Sequence, residues 1–184
     1  MTTNPMQHYI LKNERNLRIA AAVGEAWPEA RETLVSAFHA RLESRLTKNL
    51  KGWKVEHTEA YFSDRYGTFY LNKPAWDNQY YISLQYSNHG EKMIFGVIRS
   101  EWYIKKRKFS PELLTAVRQI YPSAHSRTWW EAVIDMQSPA ADWRKPEVLW
   151  RMYKDHKFLV EVSEQLLEVA RVGTPIIDRL ARKK

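Results

Sequence analysis

Hydrophobic and polar positions alternate most cleanly over residues 80–86. Tyr80, Ile82, Leu84 and Tyr86 alternate with Tyr81, Ser83 and Gln85. Successive side chains of a strand point to opposite faces, so this pattern predicts a strand with one apolar and one more polar face. Residues 93–100 are apolar on both faces until Arg99, as expected of a strand in the middle of a sheet. Between the two runs, Asn88 and Gly90 supply the left-handed backbone angles of a short hairpin loop. Gly96, in mid-strand, marks a bulge or a close backbone approach. The body of this hairpin is expected to be core.

The pattern on either side is helical. Residues 1–12 read as a loose lead-in. Asn13 caps a helix over 14–26, with Leu17, Ala20, Ala21 and Gly24 at helical spacing. Pro28 breaks or restarts that helix. A second helix over 28–49 carries Leu34, Val35, Phe38, Leu42 and Leu46 as one apolar stripe, and Gly52 stops it. Strands are predicted at 53–57, 68–72, 80–86, 93–100 and 129–136, joined by short gaps in the manner of an antiparallel meander. Residues 102–108 extend the fourth strand or form a basic loop. Ser110 and Pro111 open a short helix to Tyr121, Pro146 opens another, and Asp155 begins a third. Gly173-Thr174-Pro175 is expected to set off a basic tail, 176–184. The fold class is α+β: N-terminal helices, a central antiparallel meander sheet of about five strands and C-terminal helices, in a single domain over 1–184.

Composition narrows the chemistry. With no cysteine in 184 residues, disulfides, thiolate metal sites and a thiol nucleophile are excluded. No run approaches the ~18 apolar residues of a membrane helix, so the expectation is a soluble, cytoplasmic protein without membrane association. The net charge of +8 and pI near 9.6 favour polyanions or acidic protein surfaces as partners. Eight tryptophans and ten tyrosines add side chains that serve equally in cores, interfaces and base stacking.

Most enzyme signatures are missing. The six glycines fall in no GxGxxG or GxxxxGK[ST] frame, and no GxSxG elbow occurs. The six histidines include no i, i+4 pair. Glu56 and His57 are adjacent on a predicted strand and would not converge on one ion. Glu101 and Asp135, at strand ends, are the remaining carboxylates for a metal-dependent nuclease, with His57 beside them as a candidate ligand. Facing water is the simpler role for both carboxylates. No catalytic residue, metal ligand or cofactor is assigned.

Basic residues interleaved with aromatics are more suggestive, because single-stranded nucleic acid needs charges for phosphates and flat rings for bases. Arg99, Trp102, Lys105, Lys106, Arg107 and Lys108 form one such group. Arg127 before Trp129-Trp130, and Arg144 with Lys145 after Trp143, form two others. These nine residues are the candidate binding residues. The leading expectation is a non-catalytic nucleic-acid (polyanion) binding protein. The alternatives are a protein-interaction module that inhibits or recruits an acidic partner, as phage-encoded inhibitors do, and a cryptic metal-dependent nuclease.

Residues 80–86 with the following turn and MIFGVIRS, preceded by Lys73-Pro74-Ala75-Trp76 and followed by Trp129-Trp130, resemble the C-terminal accessory region of some bacterial PD-(D/E)XK nuclease superfamily proteins. The resemblance spans roughly residues 30 to 170 and implies a bacterial or phage defence or DNA-processing setting. It carries no nuclease site, since the only Asp-x-Lys tripeptide is Asp155-His156-Lys157, in a predicted helical region.

Overall fold

The computed structural model describes residues 4–57, 65–105 and 108–182. It is α+β, with helices at both ends and a six-stranded antiparallel sheet between them. The helices are α1 (Pro5–Leu11), α2 (Glu14–Asn49), α3 (Glu101–Ile104), α4 (Pro111–Arg118), α5 (Pro146–Lys154) and α6 (His156–Arg182). The strands are β1 (Lys54–His57), β2 (Tyr66–Asn72), β3 (Tyr80–Ser87), β4 (Lys92–Arg99), β5 (His125–Arg127) and β6 (Trp130–Asp135), in the spatial order β1-β2-β3-β4-β6-β5. The first four strands form the expected meander. The chain then passes through α3 and α4 and returns as the β5–β6 hairpin, with β6 against β4.

Register divides the sheet into two unlike faces. Tyr80, Ile82, Leu84 and Tyr86 of β3 lie opposite Arg99, Val97, Phe95 and Met93 of β4, and share a face with Phe69 and Leu71 of β2. α2, α4 and α6 cover this face, while α5 packs against α2 and α6. Phe38 of α2 meets Trp143 edge-on at 5.6 Å and Phe158 at 5.4 Å, and Tyr121 meets Phe95 at 5.2 Å. The opposite face carries Tyr70, Tyr81, Ser83 and Gln85, and a small cluster of Ile94, Ile98, Trp130 and Val133. Among the described residues no helix packs on it.

Gly96 is where β4 and β6 come closest. Its φ is +146°, and a Cβ there would lie 2.1 Å from the Ala132 carbonyl oxygen. The register shifts beside it, between Val97 and Ile98, leaving Glu131 as the extra residue of a bulge. The β3–β4 turn has positive φ at Asn88, His89 and Gly90.

Five local expectations need correction, the first being that residues 101–104 form the short helix α3 and not an extension of β4 or a loop. The lead-in contains α1, whose N-cap Asn4 accepts a hydrogen bond from the Met6 N–H. Pro28 neither ends nor restarts a helix, because α2 runs through it to Asn49. β5 is an additional strand; its three residues, His-Ser-Arg, are too short and polar to show a period. The proposed tail is the last part of α6, which runs through Pro175 and buries Ile176, Ile177 and Ala181. Asp178 fixes that part of α6 to the β2–β3 connection. It accepts hydrogen bonds from Trp76 Nε1 at 2.8 Å and Lys73 Nζ at 2.6 Å. Burial pushes its carboxyl up, but these two donors together hold it below the usual range.

Candidate nucleic-acid interface

Two of the three basic-aromatic groups come together. β4 ends at Arg99, whose N–H donates to the Trp129 carbonyl at 2.8 Å and whose Nη2 donates to the Thr128 carbonyl at 3.0 Å. In the β5–β6 hairpin, Arg127 pairs with Trp130, which in turn pairs with Ile98 of β4. The segment leaving β4 and the β5–β6 turn therefore share one end of the sheet. There Trp129 is 44% exposed and Lys105 and Lys108 are exposed on the segment leaving β4, while the exposed Arg127 turns its guanidinium back along β5 toward His125 and Asp135.

Arg99 is not one of the surface cations. It is 7% exposed and forms an ion pair at 3.3 Å with Glu131, which is fully buried. Glu131 Oε2 also accepts the Ser110 N–H at 2.8 Å. Burial pushes the Glu131 carboxyl up, against the lowering effect of the Ser110 N–H and the Arg99 guanidinium. Breaking a buried pair by removing one partner costs about 3–5 kcal/mol. Arg99 and Glu131 thus fix both ends of the 100–110 segment, and of its described residues Lys105 and Lys108 are the exposed cations.

Lys105 is well exposed and 3.4 Å from Glu101 one helical turn earlier, a contact that only partly offsets its charge in water. Trp102 belongs to α3. Lys106 and Arg107 lie outside the described residues. Arg127 Nε donates to His125 Nε2 at 3.0 Å, and its Nη2 lies 3.5 Å from Asp135. Arg144 and Lys145 sit at the opposite end of the sheet, where the Trp143 N–H donates to the Gly90 carbonyl of the β3–β4 turn. Arg144 makes two 3.0 Å hydrogen bonds to Asp142 and lies 3.6 Å from Glu91. Its charge is spent within the fold, and with Lys145 it is separate from the Trp129 end.

Sequence reading missed Tyr70 and Tyr81. Their rings lie 5.2 Å apart, tilted, on the helix-free face. Tyr81 is in the same cross-strand row as Ile98, Trp130 and Arg127, next to the Trp129 end. Its hydroxyl is held protonated above the usual tyrosine range by desolvation, with smaller contributions from Glu56 and Tyr70. The signal was present in the alternation of β3, which already assigned Tyr81 to the polar face.

The candidate nuclease groups do not converge. Glu101 is beside Lys105, and Asp135 is on the helix-free face between Lys92, at 3.2 Å, and Arg127. His57 is on the covered face, 3.9 Å from Glu43, with its ring 5.7 Å from that of His39. Among the described residues no three His, Asp or Glu side chains are grouped to hold a metal ion. Asp155-His156-Lys157 is a junction: Asp155 Oδ1 accepts the Lys157 N–H where α5 gives way to α6. Among the described residues no helix is long and apolar enough to cross a membrane.

Comparisons with protein-family models, curated proteins and solved structures return no match for this chain.

Proposed function

We propose that the protein is a non-catalytic nucleic-acid binding protein that holds a single strand at the Trp129 end of its sheet. One observation carries the reading: segments about thirty residues apart in sequence meet there, and between them display an exposed indole and the exposed cations Lys105 and Lys108. Trp129 is the stacking platform, while Lys105 and Lys108 meet phosphates. The buried Arg99–Glu131 pair holds this surface in shape without touching the ligand. The chain's net charge of +8 supports the same partner class. The bacterial or phage DNA-processing setting rests on the family resemblance alone.

Fluorescence anisotropy with labelled mixed-sequence single-stranded DNA and RNA tests this. Trp129→Ala should cost about 1–3 kcal/mol of binding, the range for loss of one stacked base. Lys105→Ala with Lys108→Ala should lower the slope of log affinity against log salt by about 1.4, at ~0.7 per phosphate contact on a single strand. Affinity that is absent, or indifferent to salt, would sink the proposal.

A second reading, recruitment of an acidic protein partner, is favoured by a different surface. Trp150 and Tyr153 of α5 are 63% and 53% exposed with rings 6.0 Å apart, and Lys154 Nζ lies 4.3 Å from the Tyr153 ring centroid. Aromatics beside a cation are common interface anchors. Loss of partner capture in Trp150→Ala, with nucleic-acid affinity unchanged, would identify this surface as the functional one.

A further inference from the structure

α2 has two unlike halves. From Val35 onward its apolar side chains are buried in the core. Before Arg31 none is. Leu17, Ile19 and Val23 are 50%, 52% and 59% exposed, Trp27 is 37% exposed, and Ala26 and Ala30 lie open beside them. α1 folds back on the first turns of this half, tied by a 2.7 Å hydrogen bond from Asn16 Nδ2 to the Tyr9 carbonyl, and shows Met6 and Tyr9 at 63% and 61% exposure. The result is a helical arm whose apolar side chains lie open to water.

Charge indicates what covers it. Residues 4–33 hold four basic and four acidic residues, so the arm is neutral and the whole net charge of +8 lies in the rest of the chain. With no net positive charge, the arm gives a polyanion no preference for it. The signs are also unevenly arranged: Lys12, Arg15 and Arg18 outnumber Glu14 before the apolar centre, and Glu25, Glu29 and Glu32 outnumber Arg31 after it. Ile19, Val23, Ala26 and Ala30 recur at helical spacing as one seam, with Arg15 and Glu29 along the same flank. A two-fold axis near Ala22 brings each Arg15 to the opposing Glu29 and sets Ile19 of one copy between Val23 and Ala26 of the other. It also carries α1 of each copy to the Ala26–Ala30 end of the other. That axis lays the shallow depression lined by Glu14, Arg15, Arg18 and Ile19 over Ala26, Glu29 and Ala30, which line part of a second one. A two-fold contact has to be self-complementary, and this surface is.

We propose that the arm is a self-association surface, through which two copies of the chain pair antiparallel along residues 15–30 of α2, a seam about 24 Å long at ~1.5 Å per residue. The two cores then sit at opposite ends of the paired arms, leaving both Trp129 surfaces accessible.

Sedimentation velocity of the full chain from roughly 1 to 100 µM tests this, a range that spans micromolar self-association. The wild type should pass from monomer to dimer. Val23→Asp should remain monomeric with an unchanged circular dichroism spectrum, since the side chain is exposed within one copy. Arg15→Glu and Glu29→Arg should each raise the dimer dissociation constant at least about tenfold, because symmetry places each like-charge contact twice. The double variant Arg15→Glu/Glu29→Arg should restore dimerisation, an outcome specific to antiparallel pairing. A wild type monomeric throughout would overturn the proposal and leave the arm to another protein. A dimer untouched by Val23→Asp, or single-variant losses that the double variant fails to repair, would overturn it as well.

Discussion

Phe69 and Tyr70 are neighbours in β2 and live in different environments. Phe69 is 1% exposed under α2, 5.4 Å from the His39 ring, on the face that the helices cover. Tyr70 is half-buried on the opposite face, with Tyr81 as its ring neighbour. The covered face is apolar throughout, apart from paired groups such as Arg99 with Glu131. The other face mixes tyrosines, small polar residues and surface charges around one apolar cluster. One face lies under the helices, and the other presents half-buried Tyr70 and Tyr81 beside the buried Ser83, Ile94, Trp130 and Val133. Substitutions on the two faces should therefore separate into losses of stability and losses of binding.

Breaking the covered face by removing its helical cover should have the largest effect. Truncation before Ile176 would take away Ile176, Ile177 and Ala181 with the Asp178 anchor, and would expose the core they cover. The truncated chain should lose cooperative thermal unfolding. If it kept the wild-type transition, the C-terminal part of α6 would be a tail after all. Phe69→Ala comes next, at about 3–5 kcal/mol in urea denaturation, the usual cost of emptying an aromatic site in a core.

The third test uses pH. His39 is 3% exposed among Phe38, Phe69 and Trp143. Desolvation, with His57 nearby, holds its pKa down to about 3. The unfolded chain takes up this proton near pH 6.5 and the folded chain does not, so stability is full above pH 6.5 and falls as pH drops toward 3. The single-site loss between pH 6 and pH 5 is about 1.2 kcal/mol. Glu131, whose carboxyl is pushed up, acts in the opposite direction, because acid relieves the cost of its buried charge. Asp142 and Asp178, held low, withdraw their contributions only below the normal aspartate range. Comparison with His39→Phe isolates the histidine contribution. Equal pH slopes in the two proteins would mean that His39 is protonated in the fold.

What was legible in sequence followed periodicity. The β3 alternation named both faces, the doubly apolar β4 named a central strand, and Gly96 named the close approach. What failed were judgements made from punctuation. Pro28 and Pro175 both looked like boundaries, yet α2 and α6 run through them. At Pro175 a buried apolar stripe continuing on both sides outweighs one lost backbone hydrogen bond, as Ile176 and Ile177 show beyond it. The candidate site was legible only as composition. Sequence placed nine residues in three groups. It could not show that two groups converge through the 2.8 Å Arg99–Trp129 backbone bond, that the third is at the far end, or that Arg99 faces inward. Those facts depend on strand order, and on a bulge at Glu131 that no local pattern announces.

Tyr70→Ala should give the smallest effect on stability and is the most informative for the comparison. The side chain is half-buried on a face without helices, so the loss should stay below about 1 kcal/mol, well short of that for Phe69→Ala next to it. If nucleic acid extends from Trp129 along the Tyr81–Ile98–Trp130–Arg127 row onto this face, Tyr70→Ala should still weaken single-strand binding by several-fold, since a stacked base is worth about 1–3 kcal/mol. Unchanged affinity would confine the ligand to the Trp129 end. A stability loss matching that of Phe69→Ala would mean that this face is as much core as the other, and the division between the two faces would no longer hold.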